Sequence, residues 1–246
     1  HTRCSRDWSS DVCSSDLTVQ PYSPKAGTGL SSYELNQPGC YKMVKDTTVV
    51  AQFKIKDVQR VQTLYNLSEC LNWDIYALAW TTTPWTLPSN TALTLGADID
   101  YALVATYNPY TFQPQLVVLA ETVLKKHFNA GFTATEILKA PENSKSPIPY
   151  KILGSVKGSQ LLEIRYEQLI PLVQPAEHPE NAFKIISGDF VTTEEGTGIV
   201  HTAPTFGADD ARVAAQWKVP GMRVKDEQGN LVPLVDLHGK FRPELG

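Results

Sequence analysis

This chain lacks a dominant charge, a long apolar run and a paired-cysteine pattern, and each absence narrows what it does. Its net charge is only -4, with 22 basic against 26 acidic residues. A surface built as a whole to hold nucleic acid would be strongly basic, so that class is disfavoured, although a local basic patch stays open. No apolar run approaches the ~18 residues that a membrane-spanning helix needs. A charged segment followed by an apolar one, the mark of a signal peptide, is also missing. The four cysteines, Cys4, Cys13, Cys40 and Cys70, include no CxxC pair, which argues against a zinc knuckle or ribbon. A chain of 246 residues can bury a core without covalent staples, so a reduced, cytoplasmic setting is expected. The single sequon, Asn66-Leu67-Ser68, is the only feature pointing the other way.

Structure is unevenly signalled along the chain. Residues 1–17, "HTRCSRDWSSDVCSSDL", show no period and resemble translated sequencing-adapter read-through, so they are set aside as a non-native or disordered tail. The Pro, Gly and Ser of residues 18–46 read as an extended lead-in to a domain that runs over 18–246. "TTVVAQFKI", "WDIYALAW", "YALVATY", "QLVVLA" and "KILGSVKG" have the β-branched and aromatic composition of strands. "FKIISGDFVTTEEGTGIVHTAP" predicts two strands around "TEEGTG", and "KAPENSKSPIPY" predicts a surface loop. "ETVLKKHF" and "GADDARVAAQW" predict helices, while "SQLLEIRYEQL" reads as mixed or helical. Strands outnumber helices without alternating with them, which predicts an α+β fold with a curved or barrel-like sheet and peripheral helices. The chain stops at "FRPELG" without a closing element and is expected to be an internal fragment of something longer.

Two stretches stand out. "WTTTPWTLPSN" (Trp80 to Asn90) ends a strand with three threonines and then places two prolines within five residues. Those prolines exclude a helix interior and a ladder-bonded strand, so small hydroxyls are presented on irregular backbone. "EEGTGIVHTAPTFGADD" (Glu194 to Asp210) is the second. Its glycines precede an apolar strand and lack the third member of a dinucleotide fingerprint. There is no GxSxG elbow, and His201, Asp209 and Asp210 match no metal-ligand spacing. Taken singly, His201 reads as a satisfied core histidine, the aspartates as helix N-terminal residues, and the threonines as a solvated strand end.

Taken together, the two stretches resemble one family, the editing domain of isoleucyl-tRNA synthetases, inserted as connective peptide 1. "VQPYSPKAGTGLSSYELNQPGCYKMVKDTTVVAQFKI" is similar to the segment leading into that domain, especially in bacterial members. Valyl and leucyl enzymes typically read TTRPE or TTRPD where this chain has Thr83 and Trp85 at the varying positions. The resemblance implies a β-barrel-like domain that hydrolyses valyl-tRNA(Ile) with water. One methylene separates valine from isoleucine and is worth only about 1–3 kcal/mol in an apolar pocket, a value these enzymes themselves serve to illustrate. It further implies that Thr81, Thr82 and Thr83 line the pocket, with Asn90 nearby, and that His201 walls out isoleucine. Asp210 would bind the α-ammonium, a charge-assisted contact, and Trp80 and Trp85 would serve packing. The expected partners are the valine-charged acceptor end of tRNA(Ile) and the remainder of the synthetase chain, with no membrane. HIGH- and KMSKS-type signatures are absent, so no cofactor is expected here; ATP and Mg belong to the missing catalytic domain. Two alternatives stay open, a free-standing deacylase acting on mischarged tRNA and a non-catalytic tRNA-binding module.

Overall fold

The computed structural model describes residues 21–23, 25–40, 48–143, 145–236 and 240–242. The expected tail at 1–17 and part of the 18–46 lead-in lie outside the described residues. The described lead-in is more structured than its composition suggests. Strands β1 (Tyr22–Ser23) and β2 (Thr28–Gly29) pair antiparallel, and a one-turn helix α1 (Ser32–Leu35) starts at a capping box between Ser31 and Glu34.

Among the described residues, nine strands then build one sheet. They are β3 (Val49–Lys54), β4 (Asp74–Thr81), β5 (Ala92–Leu95), β6 (Asp100–Tyr107), β7 (Pro114–Ala120), β8 (Phe132–Ala134), β9 (Ile148–Lys157), β10 (Lys184–Ser187) and β11 (Ile199–Thr202). Helices are few and short: α2 (Val58–Leu64), α3 (Leu124–His127), α4 (Gly158–Leu161) and α5 (Ala208–Gln216). A second ribbon, β12 (Arg223–Lys225) with β13 (Leu231–Pro233), follows.

Strand β4 organises the sheet. One edge pairs antiparallel with β3 from Val49↔Thr81 to Lys54↔Tyr76. The other edge is shared: its first half runs parallel to β7, and Trp80 runs parallel to Val200 of β11. From β11 the ladder continues antiparallel to β5 and then parallel to β10. Residues 163–167 close the circuit. Tyr166 bridges Ile55, Arg165 bridges Lys184, and Tyr166 N–H donates to Phe183 O at 3.0 Å. The expected barrel is therefore a ring of β3, the 163–167 segment, β10, β5, β11 and β4. It is filled by Phe53, Tyr166, Leu93 and Ile185, all at most 2 % exposed, with Phe53 and Tyr166 edge to face at 5.3 Å. Strands β7, β6, β9 and β8 extend the sheet beyond the ring.

Among the elements that depart from expectation are α2, β5 and β9. The helix α2 carries its apolar residues Val58, Val61 and Leu64 at helical spacing and buries Val61. Strand β5 is wholly buried, so it shows no alternation. Strand β9 begins at Ile148, inside the expected loop.

Gly196 and Gly198 show what "GTG" does in place of binding a phosphate. Both sit at positive φ, +71° and +74°, where other L-residues are strained. Thr197 O between them accepts Ala120 N–H, and a Cβ on Gly198 would lie 2.4 Å from the Ala120 Cβ. Replacing Gly198 by alanine is expected to lower unfolding stability by roughly 2–5 kcal/mol, read as a shifted midpoint in urea denaturation. An unchanged midpoint would show that this turn does not hold β11 against β7.

Candidate active site

Because β4 and β11 run in the same direction with Trp80 opposite Val200, the residues after each leave the sheet at the same end. Thr81–Thr83 and His201–Ala203 therefore emerge side by side. The backbone after Thr83 is not irregular, as the prolines suggested, but a 3-10 turn over Pro84–Ser89. Pro84 opens that turn, where no N–H is needed, and the segment is short enough to hold Pro88 without breaking a long ladder.

The turn carries Thr86 and Asn90 back under the sheet end. Thr86 Oγ1 lies 2.8 Å from His201 Nε2 and donates to Thr83 O at 2.8 Å. Asn90 Nδ2 lies 3.3 Å from His201 Nδ1 and donates to Ala92 O at 2.8 Å, while its Oδ1 accepts from Tyr166 OH at 2.6 Å. Thr81 Oγ1 accepts Thr83 N–H at 3.0 Å and lies 3.3 Å from Thr83 Oγ1. Thus Thr81, Thr83, Asn90 and His201 form one neighbourhood with Thr86 and Tyr166, two residues not anticipated from sequence. Thr86 lay inside the quoted motif; Tyr166 is reached only through ring closure and left no local signal. Thr82 is exposed beside them.

Asp210 comes in from the other side. Helix α5 packs Val213 and Ala214 against Ile186 and Ala92 on the outer wall of the barrel, which fixes its first turn beside the end of β11. There Asp210 Oδ2 accepts Ala203 N–H at 2.8 Å, two residues past His201. The paired aspartates divide their work. Asp209 is exposed and joins Arg212, which also pairs with Asp189 at 2.7 Å. No cation pairs with Asp210 among the described residues. Burial raises the Asp210 carboxyl above the usual range; the Ala203 N–H opposes this and the charge of Asp209 adds to it. Trp80 packs over Gly196 as expected, whereas Trp85 stays 54 % exposed, meeting Phe206 edge-on at 5.1 Å. That contact joins the two motif loops at their rim.

A cleft of about 530 Å³ opens elsewhere, between Gly96–Ile99, Asp189 and the Arg212 and Trp217 side of α5. It contains none of Thr81–Thr83, Thr86, Asn90, Tyr166, His201 and Asp210, and its Arg212 is already committed to Asp189 and Asp209. The threonine–histidine–aspartate end of the barrel is the stronger candidate, because it alone brings both motifs together.

No family model matches this chain. Curated relatives do. Isoleucine–tRNA ligase of Porphyromonas gingivalis is 54% identical over 226 residues, which is 92% of this chain and 19% of that protein. The Cytophaga hutchinsonii enzyme is 55% identical over 228 residues, 93% of this chain and 19% of the relative. The chain belongs to the isoleucine–tRNA ligase family. It spans about a fifth of the length of the relatives it matches. Among solved structures, the cytosolic leucyl-tRNA synthetase editing domain of P. knowlesi aligns at a TM-score of 0.51 and 16% identity, covering 69% of this chain and 62% of that one. The corresponding P. falciparum domain aligns at 0.50 and 12% identity, covering 74% and 76%. At that identity the likeness shows the fold alone: this chain has the fold of those synthetase editing domains.

His201 supplies a test of the geometry. Burial lowers the pKa of its imidazole to about 4, so the ring is neutral at neutral pH. Between about pH 6.5 and 4 the unfolded chain takes up a proton here that the folded one refuses, so stability falls as pH falls. The loss approaches roughly 3 kcal/mol and levels off below the folded pKa. Urea titrations from pH 7 to 4.5 should show this slope in the wild type and a flatter one in His201→Gln. Equal slopes would mean that His201 is not buried neutral.

Proposed function

We propose that this domain hydrolyses valine from mischarged tRNA(Ile), as the editing site of an isoleucine–tRNA ligase. The reading rests most on Asp210, a half-buried carboxylate with no cation beside it among the described residues, set beside a threonine-lined strand end. Its surroundings penalise the bare charge, and an arriving ammonium would relieve that penalty through a charge-assisted contact. An α-amino acid ester supplies such an ammonium next to the reacting carbonyl.

In this reading Asp210 holds the ammonium, and Thr81, Thr82 and Thr83 line the pocket, holding substrate or water. His201 forms the wall that excludes the larger isoleucyl side chain. Water adds to the ester carbon, the ester C–O bond breaks, and the ribose oxygen leaves with a proton, releasing valine and free tRNA. No covalent nucleophile or cofactor is required of these residues; positioning and polarisation carry the step. The remaining partners are the acceptor end of tRNA(Ile) and the rest of the ligase chain, in the cytoplasm where tRNA is charged. ATP and Mg serve the ligase reaction outside this stretch.

Deacylation of valyl-tRNA(Ile), measured beside isoleucyl-tRNA(Ile), tests the assignment. The chain is expected to hydrolyse the valyl ester in preference, and Asp210→Ala should lower kcat/KM for it about 10–100-fold, the scale of one hydrogen bond to a charged group. Hydrolysis that is equally fast and selective in Asp210→Ala would refute the anchor.

A further inference from the structure

The hydrogen bonds around His201 determine which nitrogen bears its proton, and they do so from both sides. Ala92 O accepts only, so the Asn90 atom 2.8 Å from it is the NH₂ group. That NH₂ also faces His201 Nδ1 at 3.3 Å, nearer than its remaining contact, Thr202 O at 3.5 Å, so Nδ1 offers the lone pair. On the other side, the one hydroxyl proton of Thr86 is directed to Thr83 O, another pure acceptor. Its lone pair then faces His201 Nε2, which must carry the hydrogen. The two deductions are independent and agree. The remaining amide atom, Asn90 Oδ1, is satisfied by the Tyr166 hydroxyl at 2.6 Å. Tyr166 is fully enclosed at 0 % exposure and belongs to the segment that closes the barrel.

We propose that Tyr166 and Thr86 are positioning residues that lock His201 as its Nε2–H tautomer, with both ring nitrogens occupied, so that the imidazole meets a ligand only through its carbon edge. This deepens the editing reading and rests on it for its consequence. A ring with no free nitrogen cannot serve as a general base; it can serve as a rigid apolar wall. Tyr166 acts through the Asn90 amide, whose carbonyl would otherwise be orphaned in a buried site. Thr86 acts directly on Nε2–H. The selectivity of such a wall depends on ring orientation, so loss of either hydroxyl should let the larger ester in.

The test uses the whole chain with ¹⁵N-labelled histidine. In the wild type, the His201 Nδ1 resonance should fall in the unprotonated range and Nε2 in the protonated range, with its N–H protected from exchange. In Thr86→Val and Tyr166→Phe that N–H should exchange faster or a second tautomer should appear. Isoleucyl ester hydrolysis should rise about tenfold relative to valyl hydrolysis, the scale of one lost hydrogen bond. Thr86→Ser, which keeps the hydroxyl, should restore both signatures. An Nδ1–H or mixed tautomer in the wild type overturns the proposal, even if a variant fails to fold. So does an unchanged spectrum and selectivity in both folded variants. Should the chain hydrolyse neither ester, the editing reading fails while the spectrum still decides whether the lock exists.

Discussion

One pairing underlies the rest of the structure: β4 and β11 lie parallel, with Trp80 opposite Val200. Strands far apart in sequence need not end together, but parallel neighbours in register do. From that alignment the threonine run and the His201–Ala203 segment emerge on one rim, and α5, docked on the outer wall by Val213 and Ala214, delivers Asp210 to the same place. The alignment is held on three sides. β3 runs along the far edge of β4, the Gly196–Gly198 turn ties β11 to the end of β7, and β5 and β10 carry the ladder round to the closing segment.

The rim is also where two kinds of polar group are treated in opposite ways. Both ring nitrogens of His201 have a partner, which holds the ring in place, and burial keeps it neutral. At Asp210 one oxygen takes a backbone N–H, and no cation among the described residues pairs with the carboxylate. A matched group is suited to define a shape; an unmatched carboxylate is suited to receive a charge. An editing pocket needs both, a wall to judge side-chain size and a seat for the ammonium common to all amino acids.

Much of this was legible in the sequence, for identifiable reasons. Most of the strands in the closed barrel have β-branched and aromatic composition, and the family resemblance carried by the two motif stretches singles out Thr81–Thr83, Asn90, His201 and Asp210, which lie at one rim of the structure. Strand β5 was hidden because burial on both faces removes the alternation that marks a strand. The 3-10 turn at Pro84–Ser89 was misread because a rule for long helices was applied to a segment too short to obey it. Taken singly, Asp209 and Asp210 read alike as helix N-terminal residues, and only the resemblance set Asp210 apart; the structure gives them different surroundings, an exposed ion pair at Asp209 and a half-buried carboxylate at Asp210. Tyr166 had no local signature at all, since its contact with Asn90 spans 76 positions and exists only once the barrel closes.

The account turns on the seat for the ammonium, and binding tests it without the complication of turnover. Two non-hydrolysable adenosine conjugates would be titrated calorimetrically, one carrying valine and one carrying the same acyl group without its α-amino group. The wild-type chain should bind the valyl conjugate more tightly, and Asp210→Asn should erase that advantage while leaving the deaminated conjugate bound as before. If the advantage of the amino group survives in Asp210→Asn, the carboxylate is not its seat and the central claim is wrong.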